Sequence, residues 1–411
     1  MCSDVSFMER ALALARHSLP FAGVNPPVGA VLARNGIIIG QGFHHGPGTL
    51  HAEAEALVDA RESLEQAGGT LAGSTLYCTL EPCCHSGHGK RTPPCTEAII
   101  AAGVSRVVFA STDPNPLVSG KGAARLRQAG VAVESGLLAE QGNALIEVFS
   151  VSIRLRRPFI HIKWAQSLDG RLACKSGASR WITNSVARAQ AHELRSRHDA
   201  VMVGAGTLRS DDPQLTVRDA PVSYELGSRQ PLRIILAGRK PLPLGSHVFT
   251  SPPEGKTIVV AAHATEALAQ CRSAGIRVVE VGCGREGLPD LSESLGALYS
   301  EGIGSVFVEG GSLLITGLLS RGFWDAVTVF TSPLILGAGV EAVGDLSVES
   351  PDLGIRFADP QFQVSDGFVR FDARNPRNCA EPSDLGMPAD ANEQKIVDAS
   401  PGNVEGSCSR A

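Results

Sequence analysis

Apolar and polar residues alternate along the chain in two different periods. DVSFMERALALARHS has helical spacing and predicts a short amphipathic helix from about Asp4 to Ser18. VGAVLARNGIIIGQG follows, with Asn35-Gly36 between two apolar runs, the signature of a tight hairpin. HAEAEALVDARESL returns to helical periodicity, STLYCTL is strand-like, and CTEAIIAAG is helical with Gly103 just past its end. RVVFAST, GKGAARLRQAG and VAVESG then read as strand, helix and strand. A helical segment from about Leu138 to Leu155 leads to Arg156-Arg157-Pro158, a domain boundary by composition. Beyond it the rhythm restarts: PFIHIKWA, DAVMVGA, LRIILA, TIVVAA, RVVEVG, SVFVEGG and AVTVFTSPLIL predict strands, with helices between several of them. Strands alternating with helices imply an α/β fold, in which helices pack on the faces of sheets.

Around Arg374 the pattern stops. The last stretch, residues 374–411, is polar and rich in Pro, Ser, Asp and Asn, so it cannot bury enough apolar surface to offset its ordering entropy. It is expected to be disordered, with Cys379 and Cys408 incidental. The predicted organisation is therefore 1–148, 149–373 and a 374–411 tail, and 411 residues suffice for two or three cores.

Composition removes several classes of function. Hydrophobic content is 43% and no apolar run approaches the ~18 residues of a membrane span. The N-terminus has helical alternation in place of a signal-peptide core. Ten cysteines are too sparse for a disulfide scaffold and several cluster near histidines, which suits a reducing, cytoplasmic location. A net charge of -5 argues against a nucleic-acid partner, which normally demands a basic surface.

The candidate chemistry begins at His51-Ala52-Glu53, followed by Glu81-Pro82-Cys83-Cys84 and then Pro94-Cys95. One imidazole and two thiolates can hold a single tetrahedral zinc, and three protein ligands leave the fourth position open, as a catalytic ion requires. Water there has its pKa lowered toward neutrality. Glu53, two residues from the imidazole, is placed to shuttle protons. His-x-Glu, then Pro-Cys, then Cys is the order found in zinc-dependent deaminases of bases and nucleotides. A structural zinc normally uses four ligands in paired knuckles. On spacing alone, Cys84 rivals Cys83 as a ligand, and His85 or His88 could approach the metal. His17, His161, His192, His198, His247 and His263 read as surface or core residues.

TLEPCCHSGHGKRTPPCTEAI, together with Asn25-Pro26-Pro27-Val28-Gly29 and HAE, resembles the deaminase half of the bifunctional riboflavin-biosynthesis deaminase/reductase family. The resemblance implies that the N-terminal domain is cytidine-deaminase-like, that His51, Cys83 and Cys95 bind zinc, and that Glu53 is the general acid/base. The implied substrate is a phosphorylated pyrimidine, a diaminopyrimidinone carrying a phosphoribosylamino group. Asn25 matches the asparagine that hydrogen-bonds the base, and His44, His85 and Arg91 match positions contacting base or ribose phosphate. A cation at Arg91 suits phosphate through charge-assisted hydrogen bonds. One departure stands out: Cys83 and Cys95 enclose eleven residues, more than the family usually has, with the excess near Gly87 to Lys90.

The second half carries HIKWAQSLDGRLA, SGASRWIT, VGAGTLRSDDPQLTVR and VEGGSLLITGLL. Gly204-Ala205-Gly206 lacks the third glycine of a dinucleotide fingerprint, since Arg209 stands there. In this order the elements resemble the reductase half of the same family, whose fold is like that of dihydrofolate reductase. The resemblance spans roughly residues 4 to 372. It implies NADPH as cofactor, lined by Ala165, Trp181, Thr207 and Asp211. Gly311, Ser312, Leu313, Leu314, Ile315, Thr316 and Gly317, after a strand and opening a helix, would offer backbone N–H groups to its phosphates. Ser179, Arg195, Leu215, Arg218 and Glu309 match substrate-binding positions, and planar guanidinium groups suit a sugar phosphate. Lys163 and Asp169 look functional without an assigned role.

Consecutive deamination and reduction is the leading expectation. A monofunctional zinc deaminase with an inactive or differently specific second domain is the first alternative, and an inert zinc scaffold the second. Glu53 argues against the scaffold, which needs no proton shuttle. The oligomeric state is open, although this fold type often forms homo-oligomers.

Overall fold

The computed structural model describes residues 3–19, 25–65, 69–85, 93–115, 118–179, 182–218, 230–251, 256–365 and 367–379. The first half comprises α1 (Asp4–Ser18), β1 (Gly29–Arg34), β2 (Ile37–Phe43), α2 (Ala52–Glu65), β3 (Thr75–Leu80), α3 (Cys95–Ala101), β4 (Arg106–Ser111), α4 (Lys121–Gln128) and β5 (Ala132–Ser135). Helix α1 starts where the Ser3 side chain accepts from Ser6 N–H, the usual task of an N-cap serine. Asn35 and Gly36 both have positive φ, 53° and 78°, as a two-residue type I′ hairpin requires.

The strands form one sheet in the order β2-β1-β3-β4-β5, antiparallel up to β3 and parallel beyond it. Period-two alternation sends Val31, Tyr77 and Val108 to the face covered by α1, and Leu32, Leu76 and Val107 to the opposite face beside Leu57, Ile99 and Leu126. Both faces are thereby buried. Helix α2 sits closely on β2: a Cβ at Gly42 would lie 2.7 Å from the Ala52 carbonyl oxygen, and one at Gly40 2.3 Å from that of Ala56. Two carboxylates one helical turn apart on α2 reach back to that strand. Glu55 accepts from Phe43 N–H at 2.7 Å and Asp59 from Gln41 N–H at 2.8 Å.

Two helices, α5 (Ala139–Leu145) and α6 (Glu147–Leu155), connect the halves. A single helical segment was expected here. The break falls at Ile146, which leaves helical geometry and buries its side chain in the first-half core.

The second half contains β6 (Phe159–Ser167), β7 (Arg171–Cys174), α7 (Ser185–Ser196), β8 (Ala200–Gly204), α8 (Ala205–Asp211), β9 (Leu232–Leu236), α9 (His247–Thr250), β10 (Thr257–Ala262), α10 (Glu266–Ser273), β11 (Val278–Val281), α11 (Leu291–Ser300), β12 (Ser305–Val308), α12 (Ser312–Ser320), β13 (Ala326–Ser332), β14 (Gly339–Glu341), β15 (Ala358–Ser365), β16 (Phe368–Arg374) and α13 (Pro376–Cys379). Among the described residues nine strands form a sheet ordered β11-β10-β9-β8-β12-β6-β13-β16-β15, in which β16 runs antiparallel to both its neighbours and the other pairs are parallel. On β6, Ile160, Ile162 and Trp164 enter the main core, while His161 and Ala165 face the aromatic layer of Phe307 and Phe330 beneath α7.

One expectation needs correction. The strand AVTVFTSPLIL ends at Ser332, and Leu334 and Ile335 lie exposed in the loop that follows. The carboxylate of Asp169 anchors that loop by accepting from Leu336 N–H at 3.0 Å and Gly337 N–H at 2.6 Å. At the other end, β16 terminates at Arg374, where the alternating pattern stops, and Pro376–Cys379 adds a single helical turn. The tail expected to be disordered lies outside the described residues from position 380 onward.

Candidate active sites

His51 immediately precedes α2 and its carbonyl accepts from Glu55 N–H at 2.9 Å, so the close seating of α2 on β2 fixes the imidazole. Cys83 follows β3, and Cys95 opens α3, whose first N–H groups turn toward Cys83. Cys95 N–H points at Cys83 Sγ at 3.4 Å and Thr96 N–H at the Cys83 carbonyl at 3.2 Å. A helix N-terminus beside a sulfur favours its thiolate form. His51 Nδ1 lies 3.6 Å from Cys83 Sγ and 3.3 Å from Cys95 Sγ, and all three donor atoms fall within 4.8 Å of one another. Zinc bonds of about 2.0–2.1 Å to nitrogen and 2.3 Å to sulfur at tetrahedral angles put N and S about 3.6 Å apart, so the donor set fits one zinc ion. Cys84 stands outside this cluster, partly exposed, and burial followed by Glu81 and Cys83 pushes its thiol up. His88 lies outside the described residues.

Glu53, in the first turn of α2, is buried, and burial followed by the Cys83 sulfur pushes its carboxyl above the ordinary range. These groups line a cavity of about 570 Å³ together with Asn25, His44 and His85. That is room for a nucleotide-sized ligand. His44 Nδ1 faces the Leu50 carbonyl at 3.1 Å, which places its proton there. Its Nε2 is then an acceptor for Asn25 Nδ2 at 3.2 Å, and this leaves the Asn25 amide oxygen as the end to present to a ligand. Arg91 lies outside the described residues.

The second constellation gathers where β6, α7 and the end of β12 meet. Arg195 Nη2 donates to the Glu309 carboxylate at 2.6 Å, and Lys163 Nζ stands 3.8 Å from the other carboxylate oxygen. Burial alone would raise the Glu309 carboxyl, but Arg195 and Lys163 outweigh it and hold it below the usual range. Burial likewise pulls the Lys163 ammonium down, with Glu309 opposing. Arg195 also donates to the Thr216 carbonyl, and Arg218 N–H donates to His192 Nδ1 at 3.2 Å. Leu215 is buried at a positive φ of 54°, which turns the loop carrying Arg218 past α7. Arg195 is thus apart from the solvated face of α7, where exposed Arg197 pairs with Glu193.

Thr207 Oγ1 lies against Gly311, 3.3 Å from where a Cβ would stand, so α8 and the start of α12 meet at one point. Asp211 ends α8 and is exposed, while Ala165 packs on the Phe307–Phe330 layer and Ser179 is partly buried. Within 311–317, Leu314 and Ile315 are core residues whose N–H groups return to the Gly311 carbonyl, and Thr316 Oγ1 accepts from Gly344 N–H at 2.7 Å. Only the N–H groups at the very start of that run precede the helix's own hydrogen bonds. Trp181 lies outside the described residues. Asp169, with no role from sequence, is held at about 2 by the Ser167 hydroxyl and by Leu336 and Gly337 N–H groups, as a loop anchor.

Sequence reasoning missed Asp113, Asn115, Phe149, Ile153 and Tyr299, all of which line the first cavity. Phe149 and Ile153 stand four apart on α6, a spacing that signals a shared face. Tyr299 carries no sequence signal, because it comes from the second half.

A zinc-binding deaminase fold joined to a reductase fold defines the class. Residues 1–111 match the cytidine and deoxycytidylate deaminase zinc-binding region, and residues 158–365 match the RibD C-terminal domain. The chain is 42% identical over 347 residues to the riboflavin biosynthesis protein RibD of Aquifex aeolicus, covering 84% of this chain and 91% of that protein. It is 35% identical to RibD of Escherichia coli, covering 88% and 95%. Among solved structures, Acinetobacter baumannii RibD superposes with a TM-score of 0.78 at 34% identity, covering 90% of this chain and 98% of that one. A Thermotoga maritima diaminohydroxyphosphoribosylaminopyrimidine deaminase/5-amino-6-(5-phosphoribosylamino)uracil reductase superposes at 0.74 with 36% identity and the same coverage. The chain belongs to the RibD family of bifunctional riboflavin-biosynthesis enzymes.

Proposed function

We propose that this chain hydrolytically deaminates 2,5-diamino-6-(5-phosphoribosylamino)pyrimidin-4(3H)-one in its first half and reduces the ribosyl chain of the product in its second. The observation that carries this reading is the convergence of His51, Cys83 and Cys95 beside buried Glu53 on one nucleotide-sized cavity. His51, Cys83 and Cys95 would hold zinc, which when bound supplies a Lewis acid that activates water. Asn25, fixed by His44, orients the pyrimidine through its amide oxygen. Glu53 takes a proton from the attacking water at its carboxylate and returns it to the departing amine, which leaves as ammonia. A carboxyl displaced upward by burial is suited to both directions of that transfer.

In the second half, Ala165, Thr207, Asp211 and the start of 311–317 would hold NADPH, whose nicotinamide when bound supplies the hydride. Arg195 and Arg218 present guanidinium groups for the sugar phosphate. Glu309, kept ionised between Arg195 and Lys163, is the acceptor for ribose hydroxyls, and Lys163 is the one cation of the three groups with a proton to spare near a developing oxyanion. The chain is expected to act on this small molecule alone. Among the described residues no helix is long and apolar enough to cross a membrane.

The test is one coupled assay with the diaminopyrimidinone phosphate and NADPH, following ammonia release and NADPH loss separately. Ammonia release without any NADPH loss would favour the monofunctional alternative. Release of neither overturns the reading.

A further inference from the structure

The cavity that contains Glu53 and the three metal donors is not built by the first half alone. Phe149 and Ile153 of α6, and Tyr299 and Gly302 at the end of α11, form part of its wall. Helix α6 belongs by packing to the second half. Val151, with Val148 beside it, is buried against Phe159 and Ala326, and Glu147 pairs with Arg374 of β16 at 2.8 Å. Its other face carries Phe149 and Ile153, four residues apart, to the cavity.

Helix α11 is anchored in the second-half core by Leu295 and Leu298. Its end is fixed by two hydrogen bonds, Ile303 N–H to the Leu298 carbonyl at 3.1 Å and Gly302 N–H to the Tyr299 carbonyl at 2.9 Å, with Gly302 at φ +80°. This is a Schellman termination, completed by the buried pair Leu298 and Ile303. Tyr299 is therefore held on a fixed helical turn that comes from the second half yet faces the first-half cavity.

We propose that the second half completes the deaminase pocket, and that Tyr299 is a specificity-determining residue of deamination. Its ring, with Phe149 and Ile153, bounds the space open to the substituent on the base and keeps water from it. The pocket thereby selects a base carrying a ribosyl phosphate over the bare base. This rests on the deaminase reading above and goes beyond it by assigning part of substrate choice to the partner domain.

The test uses the full-length, zinc-loaded chain and follows ammonia release from the phosphorylated diaminopyrimidinone and from the same base without ribosyl phosphate. In Tyr299→Ala the KM for the phosphorylated substrate should rise about tenfold, the range a lost apolar contact produces. Preference for it over the bare base should fall by a similar factor, and kcat should change less than threefold. Tyr299→Phe should behave like the parent, because the proposed wall is the ring and not the hydroxyl. Ile153→Ala, truncating a second wall residue, should shift preference the same way. NADPH oxidation on the deaminated product serves as the fold control and should stay within twofold. The inference is overturned if Tyr299→Ala keeps parental KM and preference, if Tyr299→Phe is as impaired as Tyr299→Ala, or if both activities fall together. A parent chain that releases no ammonia overturns instead the deaminase reading.

Discussion

Arg195 and Glu309, 114 positions apart in sequence, meet at 2.6 Å with both side chains almost fully withdrawn from solvent. Helix α7 is thereby locked to the end of β12. Arg195→Ala leaves the Glu309 carboxylate buried with Lys163 as its near cation. Breaking a buried pair by removing one partner costs about 3–5 kcal/mol. The expected outcome is a lowered melting temperature of the second half and a KM for the deaminated substrate raised at least tenfold, read by calorimetry and NADPH oxidation. Arg195→Lys should keep most of the stability but not the KM, since an ammonium cannot reproduce the forked contact.

Cys83 and Cys84 are neighbours in sequence with opposite expected consequences. Cys83→Ser should lose zinc and ammonia release together, because Cys83 Sγ lies 3.6 Å from His51 Nδ1 in the donor set. Cys84→Ser should retain both. Zinc content by atomic absorption checks each protein directly. A chelator strong enough to strip the parent should silence deamination while NADPH oxidation continues. A Cys84→Ser protein without metal would reverse this assignment.

Gly42 holds α2 in place from below. Gly42→Ala would put a methyl 2.7 Å from the Ala52 carbonyl oxygen and must push the helix start, and with it His51 and Glu53, outward. Overpacking of this kind costs about 1–3 kcal/mol. The expected result is a larger loss of deamination than of stability, with reduction untouched, measured as ammonia release against thermal unfolding.

Acid should destabilise the second half through two histidines. His161 and His198 lie side by side against Phe307, their ring centroids 5.2 Å apart. Burial lowers both, His198 from 6.5 to about 4 and His161 well below its ordinary value. The folded state therefore binds protons less readily than the unfolded chain. The stability from keeping them neutral is fully present above about pH 6.5 and is lost as pH falls toward 4, by up to about 3 kcal/mol for His198. Denaturant unfolding between pH 7 and 4.5 should show this slope, and His198→Gln should flatten it. A slope unchanged in that variant would count against the assignment.

How much of this was legible beforehand depends on how local each feature is. Asp4–Ser18 and the Asn35-Gly36 hairpin were readable because periodicity and turn chemistry act within a few residues. Strands β7, β14 and β15 were not, since they bury little. Phe362 and Val364 of β15 do alternate with Gln361, Gln363 and Ser365, but two apolar positions make a short run, and both stand exposed, at 70% and 81%, so no core-facing stripe singles the strand out. The overextended strand through Leu336 failed for a related reason. Pro-Leu-Ile-Leu is apolar, but the Asp169 carboxylate takes the Leu336 and Gly337 N–H groups and makes a loop of it. At the deaminase site, His51, Glu53 and the cysteines announced themselves by spacing. Tyr299 could not, because what makes it part of that cavity is the docking of one half on the other.

The carboxylates of Glu55 and Asp59 have a consequence beyond seating α2. Strand β2 is the outer strand of its sheet, and an outer strand ordinarily offers a row of bare N–H groups on which another chain can build. Here Gln41 and Phe43 already give theirs to a helix of the same molecule. That margin is closed to strand addition, so uncontrolled polymerisation of the deaminase sheet is blocked there by the same helix that carries its catalytic groups.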